Sequence, residues 1–297
     1  MTTRLRVGTR GSDLALWQTN WVCRRLKEAH PSLQIEQTII KTHGDVDADR
    51  NFDKDWPVGA FVSALENALL EKRVDFAVHS FKDLQTATTD GLIIAATPQR
   101  EVVHDLLLTR TAVRIEDLPK GARIGTSSPR RSAQLQQLGE FEIVPIRGNV
   151  PTRVAKIERE GLDGVVVAAA GVKRLGIEHP FVIDLPTDRF LPAPAQGSLA
   201  IQTRVGDEAE ALIAVLDHPD THRAVDAERF VLSAINAGCH TPVGALARVE
   251  GSKIELHARL FSGDFAHSAE GVESGDDPRT VGSALGLRML AEIEEPA

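Results

Sequence analysis

The chain has 297 residues, enough to bury a substantial core and to form two or three domains. Its 34 Lys+Arg against 42 Asp+Glu give a formal net charge of -8, which excludes a broad basic nucleic-acid surface, and 4% aromatic content leaves too few rings for base stacking. The N-terminus MTTRLRVGTR has no apolar run ending in a small-residue cleavage site, and no segment reaches bilayer length, so the expectation is a cytoplasmic protein that binds neither nucleic acid nor membrane.

From the N-terminus, RLRVGT, LQIEQTII, DFAVHS, GLIIAAT, DLLLT, ARIGT, EIVPI, GVVVAAA and SLAIQT predict strands, with helices such as SDLALWQTNWVCRRLKEA and SSPRRSAQLQQLG between them. That alternation is the pattern of parallel α/β sheets. Beyond residue 217 the order changes to a helix over HRAVDAERFVLSAI, strands ALARVE and KIELHARLF around Gly251-Ser252, and a helix over TVGSALGLRMLAEI, a small α+β arrangement. With crossings at 96–106 and at LPAPAQGS (191–198), three domains are expected: 1–98 with 191–217, 99–190, and 218–297.

Cations gather where strands give way to helices. In ARIGTSSPRRSAQL, Ser128 suits an N-cap and Pro129 the first helical position, which puts Arg130 and Arg131 in the first turn, against the helix dipole. Such an arrangement costs stability unless an anion compensates it. The same grammar places Arg10 before a Ser12 cap, Arg147 and Arg153 around Pro151, and Lys173 and Arg174 after GVVVAAA. In open α/β sheets these junctions lie at the carboxyl ends of strands, where ligands bind. Two readings stand open: the arginines face a shared cleft, or they form salt bridges with the many acidic residues. Neither GxGxxG after a strand nor GxxxxGK[ST] occurs, and guanidinium forks suit carboxylates, so a polycarboxylate is the favoured anion.

VDFAVHSFKDLQT runs a short strand into Lys82 and Asp83, a carboxylate among cations that could stabilise a developing positive charge or pass a proton. DVDADRNFDKDWPV (45–58) begins like a calcium loop at Asp45, Asp47 and Asp49, but Arg50 stands at the turn-glycine position and Trp56 at the closing-glutamate position, so an extended, solvated segment is expected instead, either a lid or a flexible loop without function. Of the two cysteines, Cys23 falls inside a predicted helix. Cys239, in NAGCHTPVG, falls in a loop after a helix striped by Val225, Leu232 and Ile235, with Gly238 as the expected C-cap and Pro242 blocking continuation. Cys239-His240 has no second ligand pair for zinc, so no metal is expected.

TRGSDLALWQ, VHSFKD, GTSSPRR, IRGNVPTR, AAAGVKRLG, LPAPAQGS and ERFVLSAINAGCHTPVG, spread in that order over residues 9–244, closely resemble the hydroxymethylbilane synthase (porphobilinogen deaminase) family. The resemblance implies two α/β domains like those of type II periplasmic binding proteins around a cleft, plus a small C-terminal α+β domain carrying the cofactor cysteine. It implies a monomeric transferase of tetrapyrrole biosynthesis that joins four porphobilinogen molecules head to tail with loss of ammonia, without metal. By the same resemblance Cys239 carries a dipyrromethane cofactor through a thioether, and Lys82, Asp83, Ser128, Arg130 and Arg131 bind that cofactor. Arg10, Ser12, Arg147, Arg153 and Arg174 would bind substrate or the growing chain, and Asp83 would be the catalytic carboxylate, stabilising the cationic azafulvene left by ammonia. This chain departs from the family at Ala195, where glycine is common, at Gln85, where proline is common, at Ala237, and at Val58, where many relatives have lysine. The competing class is a non-catalytic polycarboxylate-binding protein, which would need neither Asp83 nor a group on Cys239.

Overall fold

The computed structural model describes residues 3–40, 60–237 and 241–294, with side chains in the second helix from residue 64 onward. The expected lid or loop at 45–58, Val58, Gly238 and Cys239 lie outside the described residues. The chain divides into two compact units, Met1–Arg100 with Ser198–His222, and Glu101–Gly197 with Arg223–Ala297.

In the first unit, β1 (Arg4–Thr9), α1 (Asp13–Ala29), β2 (Gln34–Ile39), α2 (Ala60–Leu70), β3 (Phe76–Ser80) and β4 (Leu92–Ala96) are joined later in the chain by β10 (Leu199–Arg204) and α6 (Glu208–Ile213). The sheet order is β2-β1-β3-β10-β4. In the second unit, β5 (Asp105–Thr109), β6 (Ala122–Gly125), α3 (Pro129–Leu138), β7 (Phe141–Val144), α4 (Val150–Arg159), β8 (Gly164–Ala168), α5 (Ala169–Leu175) and β9 (Val182–Leu185) build a sheet of order β7-β6-β8-β5-β9. The two orders are the same pattern, with the strand that enters from a crossing segment in fourth place.

Both sheets are mixed, where parallel sheets were expected. Strands β1, β2 and β3, and likewise β6, β7 and β8, are parallel, but β10 is antiparallel to β3 and β4, and β5 to β8 and β9. Hydropathy could not reveal this, because a strand covered on both faces reads as one apolar run whichever way its neighbours point. In the second sheet Leu107 and Val166 pack on one face, with Ile124, Leu135 and Phe190, while Leu106, Leu108, Val165 and Val167 pack on the other, with Ile146 and Ile157. The first sheet is covered in the same way, by Val22 and Leu26 of α1 on one face and by Leu65 and Leu69 of α2 on the other.

The C-terminal part consists of α7 (Pro219–Ala234), the antiparallel strands β11 (Val243–Glu250), β12 (Lys253–Phe261) and β13 (Ser268–Gly275), and α8 (Pro278–Glu294). It has its own hydrophobic cluster, running from Ala224 to Met289. Helix α7 ends sooner than the expected Gly238 cap: Asn236 takes φ 48, and the Ala237 amide donates to the Leu232 carbonyl at 2.9 Å. Asparagine is one of the few residues that enters this left-handed region readily. Strand β13 escaped the sequence reading because its SAEGVESG buries only Ala269; its order comes from the ladder to β12.

Candidate active site

In the first unit the parallel pairing of β1 with β3 brings their carboxyl ends to one edge. After β1, Arg10 is half-buried and Ser12 caps α1, its hydroxyl accepting from the Ala15 amide at 3.4 Å. After β3 the chain makes a 3-10 turn over Phe81–Asp83. Phe81 is fully buried and its amide donates to the Ser198 carbonyl at 3.0 Å, so the turn is pinned from inside while Lys82 and Asp83 stand exposed. The buried amide of Gln18 in α1 donates to the Ser80 hydroxyl at 2.8 Å and fixes the two junctions to each other. Behind the turn, His79 is buried without a hydrogen-bond partner for Nε2 among the described residues, and burial pushes its imidazole down to about 4, the nearby Gln202 side chain opposing only in part.

In the second unit, β6, β7 and β8 deliver three junctions to the carboxyl edge. Ser128 occupies the N-cap of α3 in extended conformation and Pro129 follows it as expected, yet the serine hydroxyl makes no capping bond. Arg147 is exposed; Arg153 is half-buried and its Nε donates to the Gly148 carbonyl at 2.8 Å, bracing the loop that precedes α4. Asn149 caps that helix, its side chain accepting from Thr152 at 2.9 Å. Arg174, on α5, donates to the Gly197 carbonyl at 2.8 Å, and burial lowers its pKa against the pull of Glu101. The adjacent Lys173 pairs with Glu101 at 2.8 Å; burial tends to raise that carboxyl, but the hydrogen bonds from Lys173 and the Val102 amide bring it below its ordinary value.

Arg130 and Arg131 are buried, and their anion is part of the chain. The Asp105 carboxylate, wholly buried at the start of β5, accepts from Arg130 Nη2 at 2.8 Å and from Arg131 Nη2 at 2.6 Å. The dipole conflict expected from the sequence is thus met by an internal salt bridge. For these two residues the reading of acidic partners applies. Leu191 and Val166 carbonyls accept from the two Nη1 atoms at 2.6 and 2.9 Å. Asp105 and Gln196, which donates to it at 3.0 Å, were missed by sequence reasoning. A signal did exist: in DLLLT an aspartate heads a run in which every residue is buried, and a charge there requires a partner.

A polycarboxylate group fits these residues. Two buried cations share one buried carboxylate, the Nε atoms of Arg130 and Arg131 have no acceptor among the described residues, and Ser128 keeps its hydroxyl off the helix. The donors are cationic or hydroxylic, the chemistry that carboxylates require. Among the described residues no group of three metal-ligating side chains converges, and no helix is long and apolar enough to cross a membrane.

Comparison with known proteins gives a consistent result. Residues 5–211 match the family described as porphobilinogen deaminase, dipyromethane cofactor binding domain, and residues 222–291 match porphobilinogen deaminase, C-terminal domain. The porphobilinogen deaminase of Carboxydothermus hydrogenoformans is 41% identical over 290 residues, covering 96% of this chain and 93% of its own length. That of Geobacter sp. strain M21 is 42% identical over 292 residues, covering 97% and 92%. Among solved structures, the methionine binding protein MetQ is similar over 72% of this chain and 89% of its own, at 12% identity and a TM-score of 0.45.

Proposed function

The chain belongs to the porphobilinogen deaminase family, and from that premise we propose that it is a hydroxymethylbilane synthase, a transferase that condenses four porphobilinogen molecules head to tail with release of ammonia. The observation that carries this reading is the span of the cofactor-binding family model, residues 5–211, which contains every cationic junction described above. The dipyrromethane, when bound, supplies the nucleophilic carbon from which the chain grows. Each pyrrole brings an acetate and a propionate, so the protein's task is to hold many carboxylates and to manage one developing cation.

Ser128, Arg130, Arg131 and Lys82 take the cofactor carboxylates in this proposal, and Arg10, Ser12, Arg147, Arg153 and Arg174 those of substrate and product. Asp83 is the catalytic carboxylate. Held outward by the buried Phe81, it can stabilise positive charge as ammonia leaves and exchange a proton at a pyrrole nitrogen. Cys239 carries the cofactor. In support, Cys23 is 8% exposed and burial raises its thiol, against weaker opposition from Gln37 and Lys27, so it yields little thiolate. Three folding domains, 1–98 with 191–217, 99–190 and 218–297, acting as a monomer in the cytoplasm, complete the proposal; the separate cluster from Ala224 to Met289 supports the third.

Intact-protein mass tests the proposal. The wild type should exceed its sequence mass by two linked pyrrole units; Cys239→Ser should lose that mass and all turnover of porphobilinogen, while Cys23→Ser keeps both. An active wild type without the added mass would reject the covalent assignment.

A further inference from the structure

The pairing of Arg130 and Arg131 with Asp105 does more than neutralise charge. The carboxylate binds the Nη2 corner of each guanidinium, at 2.8 and 2.6 Å, and the Nη1 corners are held by the Leu191 and Val166 carbonyls. Every one of these acceptors is fixed by further bonds or by a strand. Gln134 grips Leu191 twice, donating to its carbonyl at 3.0 Å and accepting from its amide at 2.7 Å. Gln196 donates to Asp105 at 3.0 Å and to the Val103 carbonyl at 2.7 Å. One residue earlier, the Ala195 amide donates to the buried Glu228 carboxylate at 2.6 Å, whose other oxygen accepts from Ala247 in β11 at 2.8 Å. A continuous buried polar path therefore joins the α3 N-terminus to α7 and β11, the two elements that flank Cys239 in the chain.

At Asp105 one carboxylate faces two guanidinia, all three side chains at most 7% exposed. Burial and the neighbouring Arg131 push the Arg130 guanidinium below its ordinary pKa, and Asp105 opposes them. With their Nη2 atoms committed to Asp105, the two cations are locked side by side, and their Nε atoms have no hydrogen-bond partner among the described residues.

We propose that Asp105 is a positioning residue, which orients Arg130 and Arg131 as one preset cationic site, matched to one carboxylate of the bound dipyrromethane. Fixed dipoles and charges cost no reorganisation when the ligand arrives, which is the advantage of such a preset arrangement. The proposal rests on the functional reading above for the identity of the ligand.

The test is cofactor acquisition by apoprotein, followed by intact mass as porphobilinogen is titrated in, at a temperature where circular dichroism shows each variant folded. Asp105→Asn should raise the porphobilinogen concentration needed for half-loading by at least tenfold and make loading more salt-sensitive, because two unbraced cations then face solvent ions. A double-mutant cycle with Arg131→Met should be strongly non-additive in loading, since either change dismantles the same pair. Gln196→Met removes a donor to Asp105 at similar volume and no change in charge; it should raise half-loading about threefold and decides the matter if Asp105→Asn does not fold. Folded variants that load like the wild type, whatever their melting temperature, would overturn the positioning role. A wild-type apoprotein that takes up no pyrrole at all would instead overturn the functional reading.

Discussion

After β3 the first sheet turns Lys82 and Asp83 outward, on a 3-10 turn anchored by Phe81, whereas after β6 the second sheet draws Arg130 and Arg131 inside against Asp105. The strand order is the same in both sheets and both junctions sit at the carboxyl end of an inner parallel strand. What differs is the fourth strand: β5 opens with an aspartate at the edge where α3 begins, while β10 meets the β3 turn with Ser198, whose carbonyl takes the Phe81 amide. The charged pair stays solvated at one sheet edge; at the other the cations are desolvated and paired with a buried carboxylate. Desolvating an ion is expensive, so the two edges should respond very differently to substitution.

The largest expected difference is in stability. Arg131→Met leaves the buried Asp105 with one fewer partner and should cost about 3–5 kcal/mol, whereas Lys82→Met, on the exposed turn, should stay within about 0.5 kcal/mol. Denaturant titration of both variants checks this, and equal losses would remove the distinction between the edges.

A pH difference comes next. His79 lies behind the exposed turn with its pKa lowered to about 4 from 6.5, while the equivalent place in the inner strand β8 holds Val167. The unfolded chain takes up this proton near pH 6.5 and the folded one only near pH 4. The neutral imidazole thus costs nothing above pH 6.5, and stability falls as pH drops through that window, by about 3 kcal/mol in full. His79→Gln should flatten the curve of melting temperature against pH between 6.5 and 4; an unchanged slope would mean that another group titrates there.

For Asp83→Asn the effect falls on rate instead. Turnover should drop at least 100-fold, about 2.7 kcal/mol of barrier, with the melting temperature and the bound dipyrromethane mass unchanged. Steady-state assay with intact mass separates the two, and near-normal turnover would reject the catalytic role. The smallest effect concerns the clasp beside Asp105. Ala195 is held at φ 63, a region where a methyl group is strained by about 1–2 kcal/mol. Ala195→Gly relieves that strain but loosens the unfolded chain and loses the buried methyl, so melting should show a net change below about 1 kcal/mol. A large loss would show that the methyl group itself supports the Glu228 contact.

Much of this molecule follows from local sequence. Nine of the ten strands of the first two-thirds, the Ser12 cap, Pro129 at the start of α3 and the cation-bearing junctions depend on hydrophobic runs and on backbone groups within a few residues, so they are written where they act. The motifs from TRGSDLALWQ to NAGCHTPVG likewise identify the family without any contact being known. Tertiary structure alone decided that β5 and β10 run antiparallel to their neighbours, that VIDL and SAEGVESG are strands, and that α7 ends at Ala234, before the left-handed Asn236. It also decided which arginines are solvated and which are locked. Arg130 and Asp105 are 25 residues apart, and nothing near either one names the other. A buried charge is tolerated only beside its partner, and that partner is chosen by the way strands order themselves in the sheet, a long-range property that no local pattern encodes.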